Sequence, residues 1–445
     1  MATNVTQAQV ADLIAAGDLE INDGYRAKNA ELSSNGLPFA RSQNIKNGFR
    51  FDNADRFPEE HLDRVGAKVS REGDVVFTSE GTVGRFAFVR ADTPDFVYSP
   101  QLCFWRSVNR DRINPRWLFY WMQSRVFLVQ YSGVAGQTDM AENVSLRDQR
   151  GMNITLPSLD QQRTIAHILG TLDDKIELNR RMNATLEEMA RAIFKSWFVD
   201  FDPVRSKAEG RDPGLPKPIA DLFPDRFEDS ELGEIPAEWW KATLSEVMEI
   251  NPRRSLKKGE VAPYLDMKNM PTQSARALRV YNRKFGSGVR FVDNDTLVAR
   301  ITPCLENGKT CSVDSLGEGI VGWGSTEYVV LRPKQQLPAE FAYFLARTGR
   351  FRTYAISSMS GTSGRQRESA ASLDQFVLAV PPAEVARAFG KMTRTIMNTM
   401  KAKDEESRTL AAIRDALLPR LISGELRVPD AERMVEAALR EPAER

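Results

Sequence analysis

The sequence predicts an α+β protein. Two mixed globular domains are separated by two long helices that form an antiparallel coiled coil, and the whole is a pseudo-twofold repeat. Three observations predict it. Residues 117–122, Trp-Leu-Phe-Tyr-Trp-Met, are answered 224 positions later by Phe341-Ala342-Tyr343-Phe344-Leu345-Ala346, and Leu156-Pro157 by Val380-Pro381. Two stretches carry apolar residues at a period near 3.5, the mark of a coiled-coil seam. Each is preceded by short β-rich runs broken by Gly-containing turns. Solenoid repeats are far shorter and stack on their neighbours, so this is a duplicated domain-plus-helix unit. Approximate twofold symmetry suits a ligand with the same symmetry, and duplex DNA leads among those.

The first domain is assigned to residues 1–157. Asp74–Thr78 and Arg85–Val89 read as strands, and Pro115, suited to a first turn, opens a helical patch reaching Gln130. Pro157-Ser158-Leu159-Asp160 then supplies a stop and capping candidates for a helix over 158–200. Its seam is Ile165, Leu169, Leu172, Ile176, Asn179, Asn183, Leu186, Ala190, Ile193 and Trp197, in 4-3-4-3 spacing. Residues 201–236, rich in proline and acid, read as an extended connector. The second domain, 237–382, repeats the order, with Asp295-Thr296-Leu297-Val298 answering Asp74-Val75-Val76-Phe77. The second helix, 383–424, places Met392, Ile396, Met400, Leu410, Leu417 and Leu421 where the first has Ile168, Leu172, Ile176, Leu186, Ile193 and Trp197. Lys403 and Ser407 stand where the first has Asn179 and Asn183, so both seams are polar at the centre. Polar seam positions cost stability but fix register. Each seam alone leaves an exposed apolar stripe, and antiparallel pairing covers both. A helix of roughly 40 residues is about 60 Å long, a ruler with a domain expected at each end. Residues 425–445 read as a charged helical tail.

Composition describes an ordinary globular chain, 42% hydrophobic and 27% charged, with three unclustered cysteines that suit a reducing cytoplasm. No apolar run approaches the ~20 residues of a membrane span, and no secretory signal is visible at the N-terminus. Net charge is only +1, but it is unevenly placed. Asn251–Thr310 holds twelve Lys/Arg against five Asp/Glu, and Val199–Glu238 eleven acids against five bases. A basic stretch beside an acidic connector is compatible with a polyanion partner.

Catalytic and metal motifs are missing. The two histidines, His61 and His167, have no ligands at metal-binding spacing. The glycine-rich run Gly317–Thr326 lacks the lysine of a P-loop and reads as strand and turn. The chain is expected to be no enzyme and to hold no cofactor or metal of its own. Candidate DNA-contacting loops recur instead. Ser79, Thr82 and Arg85 in the first domain are matched by Arg300, Thr302 and Lys309 in the second. Gln137 and Thr138 are matched by Thr362, Arg365, Gln366 and Arg367, and Arg41, Lys268, Ser325 and Thr326 complete the set. Glycine lets backbone approach phosphate, hydroxyls bond phosphate or base, and Arg and Gln bind base edges bidentately.

Several segments resemble the DNA-specificity (S) subunit of type I restriction–modification systems. Leu156–Ala166 looks like that family's entry into its first conserved helix, and Trp197–Val204 like its exit. Ile301–Lys309 and Gly324–Tyr328 resemble a recurrent type of target-recognition domain, and Leu418–Leu426 the end of the second helix. The resemblance covers nearly the whole chain and is weakest over Met1–Phe39. It implies a non-catalytic subunit whose two target-recognition domains each read one half of a bipartite, asymmetric duplex DNA target. Two modification subunits, binding S-adenosylmethionine and methylating adenine, would dock on it, and restriction (translocase/nuclease) subunits could join. Phe194, Trp197, Phe198 and Phe201 are a candidate docking surface, with packing against the neighbouring domain as an equal alternative. The competing class is a coiled-coil scaffold that binds protein partners and no DNA.

Overall fold

The structure, a computed structural model, describes residues 6–440 apart from 47, 80–83, 136–143, 335, 360–366 and 368–369. The chain divides into two compact units, residues 1–176 with 407–445, and residues 177–406. The first runs β1 (Thr6–Gln9), α1 (Val10–Ala15), β2 (Leu19–Asp23), β3 (Leu37–Ala40), β4 (Arg56–Phe57), β5 (Val75–Thr78), β6 (Phe86–Phe88), β7 (Val97–Tyr98), β8 (Leu102–Ser107), α2 (Pro115–Met122), α3 (Arg125–Ala135), α4 (Leu146–Arg150), β9 (Asn153–Leu156) and the first part of α5 (Leu159–Phe198). One antiparallel sheet has the order β2-β8-β5-β6. A second has the order β4-β3-β7, with β3 and β7 parallel, and β1 pairs with β9.

Period-2 alternation explains how the two sheets share a domain. Val75, Phe77, Cys103 and Trp105 face a core with Trp117 and Trp121, whereas Val76, Leu102 and Phe104 face a separate cluster with Phe96 and Tyr98. Helix α2 begins as its sequence dictates. Pro115 takes the first turn, and the Asn114 side chain accepts from the N–H groups of Arg116 and Trp117, both at 3.0 Å.

The second unit contains α6 (Asp202–Ala208), α7 (Lys217–Ala220), β10 (Phe227–Ser230), β11 (Gly233–Pro236), β12 (Trp240–Thr243), α8 (Leu244–Val247), β13 (Met248–Ile250), β14 (Val261–Leu265), β15 (Tyr281–Lys284), β16 (Val289–Phe291), β17 (Thr296–Ala299), β18 (Thr310–Ser312), β19 (Gly322–Gly324), β20 (Tyr328–Pro333), α9 (Ala339–Arg347), α10 (Gly349–Ser357), α11 (Ala370–Asp374), β21 (Val377–Val380) and most of α12 (Ala383–Ile422); α13 (Val428–Arg440) returns to the first unit. Sheet β13-β20-β17-β18 repeats β2-β8-β5-β6, sheet β15-β14-β19-β16 extends the pattern β4-β3-β7, and β12–β21 repeats β1–β9. Helices α9, α10, α11 and α12 begin 224 residues after α2, α3, α4 and α5.

The long helices pair antiparallel. In the first unit Ile165, Leu169 and Leu172 share a core with Leu410, Leu417 and Leu421, Ile176 packs against it, and the Arg414 guanidinium reaches Asp173 at 2.6 Å. In the second, Asn179 Nδ2 donates to Glu406 at 2.9 Å, and Asn183 Nδ2 to Asp404 at 2.8 Å and the Met400 carbonyl at 3.2 Å. Lys403 pairs with Glu406 at 3.6 Å. Leu186, Met392, Ile396 and Met400 continue the apolar seam.

Two segments differ from expectation. Residues 201–236 are not simply extended: α6, α7 and the β10–β11 hairpin fold there, and Val204 and Phe223 enter the core. Few apolar residues hid a segment that needs few anchors. Of the two readings of the aromatic cluster, the structure shows the packing one, and Phe201, partly buried, joins it with its ring centre 5.4 Å from that of Trp239. Phe194, Trp197 and Phe198 are buried, with Phe194 5.1 Å from Phe341 and Trp197 5.0 Å from Phe223, ring centre to ring centre. Packing, not docking, uses them. The tail also docks, burying Leu426, Ala431 and Val435 against the first core. Among the described residues no helix is long and apolar enough to cross a membrane, and no His/Cys/Asp/Glu group could hold a metal ion.

Candidate nucleic-acid interface

The candidate loops gather at one end of the sheets in each unit, because consecutive strands finish there. In the first unit the turn after β3, the turn before β8 and the loop after β5 meet. The Ser42 backbone N–H and hydroxyl donate to Gln101 Oε1 at 3.3 and 3.2 Å, and the Arg85 guanidinium donates to the Ser42 carbonyl at 3.3 Å. Arg41 sits beside them, half-exposed, paired with Asp55 at 2.8 Å and over the Phe39 ring at 5.6 Å. Ser79 is 3% exposed, and its hydroxyl donates to the Gln101 carbonyl at 3.4 Å. It therefore holds the loop's base rather than facing a ligand, which corrects the expectation of a contact residue. Thr82, Gln137 and Thr138 lie outside the described residues.

The second unit builds the same end with different residues. Lys309 Nζ donates to the Met267 carbonyl, tying the loop between β17 and β18 to the helical turn that carries exposed Lys268. Arg300 and Arg367 share the Glu327 carboxylate at 3.6 and 2.9 Å, and Ile301 bridges Arg367 through the backbone. Ser325 accepts the Glu327 N–H at 3.1 Å, Thr326 is exposed, and Thr302 precedes a cis bond to Pro303. Lys268, Arg300, Thr302, Lys309, Ser325, Thr326 and Arg367 thus share one end, and Thr362, Arg365 and Gln366 lie outside the described residues. Guanidinium, ammonium and hydroxyl groups at strand ends are what phosphate and base-edge contacts require.

Buried charges support these ends. Asp74, fully buried, accepts two bonds from Arg106 at 2.7 and 2.8 Å; Asp295, equally buried, accepts from Arg332 at 2.6 Å and Arg254 at 2.8 Å. In the second unit the α5 residue Glu187 accepts from the Tyr343 hydroxyl. Burial pushes the Glu187 carboxyl above its ordinary range, outweighing the Tyr343 hydrogen bond and the nearby Arg347 and Arg191. Burial also pushes the Cys311 thiol up to about 12, so it is an inert core group. His167 is exposed on α5.

Sequence reasoning missed Ser42, Gln101, Arg347 and Arg352. Only the strand-end turns, read as adjacent in space, would have drawn Ser42 and Gln101 into one site.

Comparison with known proteins places this geometry. Residues 15–188 match the family model for the type I restriction modification DNA specificity domain. The chain is 25% identical to the type I restriction enzyme HindI specificity subunit of Haemophilus influenzae, over 81% of this chain and 88% of that one. It is 22% identical to the MjaIX specificity subunit of Methanocaldococcus jannaschii, over 84% and 82%. In fold it is similar to the crystal structure of the type I restriction-modification S subunit from M. genitalium, at a TM-score of 0.52 and 13% identity, covering 94% of this chain and 96% of that chain. Over most of its length the chain is thus similar to type I restriction–modification specificity subunits, and residues 15–188 match the DNA specificity domain model.

Proposed function

We propose that this chain is the non-catalytic, sequence-reading subunit of a type I restriction–modification complex, acting on duplex DNA in the cytoplasm. Each unit reads one half of a bipartite, asymmetric target through the loops at its strand ends. Two modification subunits, which bind S-adenosylmethionine and methylate adenine, dock on it, and restriction subunits can join. The observation that carries this reading is the strand-end cluster built twice on one topology from unlike residues: Arg41, Ser42, Arg85 and Gln101 in one unit, and Lys268, Arg300, Lys309 and Arg367 in the other. Equivalent scaffolds with different contact groups suit two different half-sites. A gel shift of the reconstituted complex on target and random duplex across a salt series tests it. Specific binding whose logarithm falls linearly with log salt is expected. A protein-only scaffold would show no DNA affinity and no slope, and would leave both clusters without a use.

A further inference from the structure

Arg347 sits at the end of α9 with its guanidinium spread over three segments. Nε donates to the Tyr343 hydroxyl at 3.0 Å, Nη1 to the Gly308 carbonyl at 3.0 Å and to the Thr272 carbonyl, and Nη2 to the Ser274 carbonyl at 2.9 Å. Tyr343, wholly buried, passes its own proton donation to Glu187 on α5, which is 3% exposed. Gly308, at φ +72°, closes the loop between β17 and β18 immediately before Lys309. A second arginine grips the same loop: Arg352 Nη2 donates to the Glu306 carbonyl at 2.7 Å. A chain of fixed contacts therefore runs from the long helix through Tyr343 and Arg347 into a candidate reading loop. A guanidinium is the group for this work, since its planar fork holds several acceptors in one geometry.

Among the described residues the first unit shows no such chain. The positions 224 residues earlier are Gln123 and Phe119, and Gln123 Nε2 donates to the Phe119 carbonyl of its own helix at 3.2 Å. There α2 is instead tied to α5 through Tyr120 on Asp173 at 2.6 Å and Arg116 on Asp174 at 2.7 Å.

We infer that Arg347, through Tyr343 and Glu187, is a positioning residue that locks loop 301–309 against α5 and so sets the fidelity of the second unit's half-site alone. The inference rests on the DNA-reading role proposed above. The test maps methylated adenines in cells carrying the modification subunits with wild-type chain, Arg347→Met, Arg347→Lys, Tyr343→Phe, or Arg85→Gln as a marker of the first unit's half-site. Arg347→Met should lower discrimination against single mismatches about tenfold in one half-site, the half that Arg85→Gln leaves strict. Arg347→Lys should restore part of it, and Tyr343→Phe should relax the same half more weakly. An unchanged motif, or equal relaxation of both halves, overturns the inference. Should Arg347→Met give no folded chain, Tyr343→Phe, which loses a single hydroxyl, decides on the same criterion. Wild-type chain that directs no methylation at all would overturn the reading role itself, a separate and visible result.

Discussion

Asp74 and Asp295 occupy corresponding places in the two repeats, and neither has any solvent exposure. A buried carboxylate is tolerated only with partners, and removing one partner strands the other charge. Asp74→Ala should therefore destabilise the first unit by about 3–5 kcal/mol in denaturant titration, because buried Arg106 loses its closest carboxylate and keeps only Glu20 at 3.3 Å and the Ala67 and Val69 carbonyls. Glu177 illustrates the opposite balance. Although burial works to raise it, hydrogen bonds from Arg180 and Arg181 hold its carboxyl down at about 2, below the ordinary 4.5. A depressed folded value stabilises above the unfolded value, so this contribution is full above about pH 5 and is lost as pH falls toward 2. Glu177→Gln should flatten the acid limb of stability against pH without changing its neutral plateau's shape. In the second unit's strand-end cluster, Lys268→Gln and Lys309→Gln should each reduce the salt slope of DNA binding by about 0.9, the value for one phosphate contact. An unchanged slope in both would remove them from the interface. Loop composition made Arg85, Lys309 and Arg367 legible as candidates in the sequence. Ser42, Gln101 and Arg347 were not legible, because their roles exist only through space, between turns that are far apart in the chain.

At the scale of elements, the heptad spacing in the sequence defines the long helices, since 3.5-residue periodicity is a local property of the chain. Their polar centres serve as interhelical hydrogen bonds from Asn179 and Asn183. What covers an apolar stripe is not written in its spacing, which is why the aromatics at the end of α5 allowed docking and packing alike. Four rings settle it: Phe194 lies within 5.0–6.2 Å of Phe198, Phe341, Phe344 and Phe389, ring centre to ring centre. Phe194→Ala should thus cost about 3–5 kcal/mol of stability by thermal or denaturant unfolding. Loss of a partner subunit with unchanged stability would contradict that placement. The connector was misjudged for the same physical reason. Val204 and Phe223 are a small apolar payload, yet each is almost wholly buried.

At the scale of the whole molecule, duplication is the organising fact. From α2 onward the second repeat follows the first at a constant spacing of 224 residues, whereas the strands before it drift in length. The sheets keep their order while their end loops change, from Ser42 and Gln101 in one unit to Lys268 and Lys309 in the other. Repeated topology with unlike contact groups predicts two unlike half-sites, and that is the central claim. It is tested most directly by sequencing methylated adenines genome-wide in cells with and without this chain. The expected result is chain-dependent methylation at two different half-motifs separated by a gap of fixed length whose bases are unread. Methylation at a single contiguous motif, or a pattern identical with and without the chain, would contradict it.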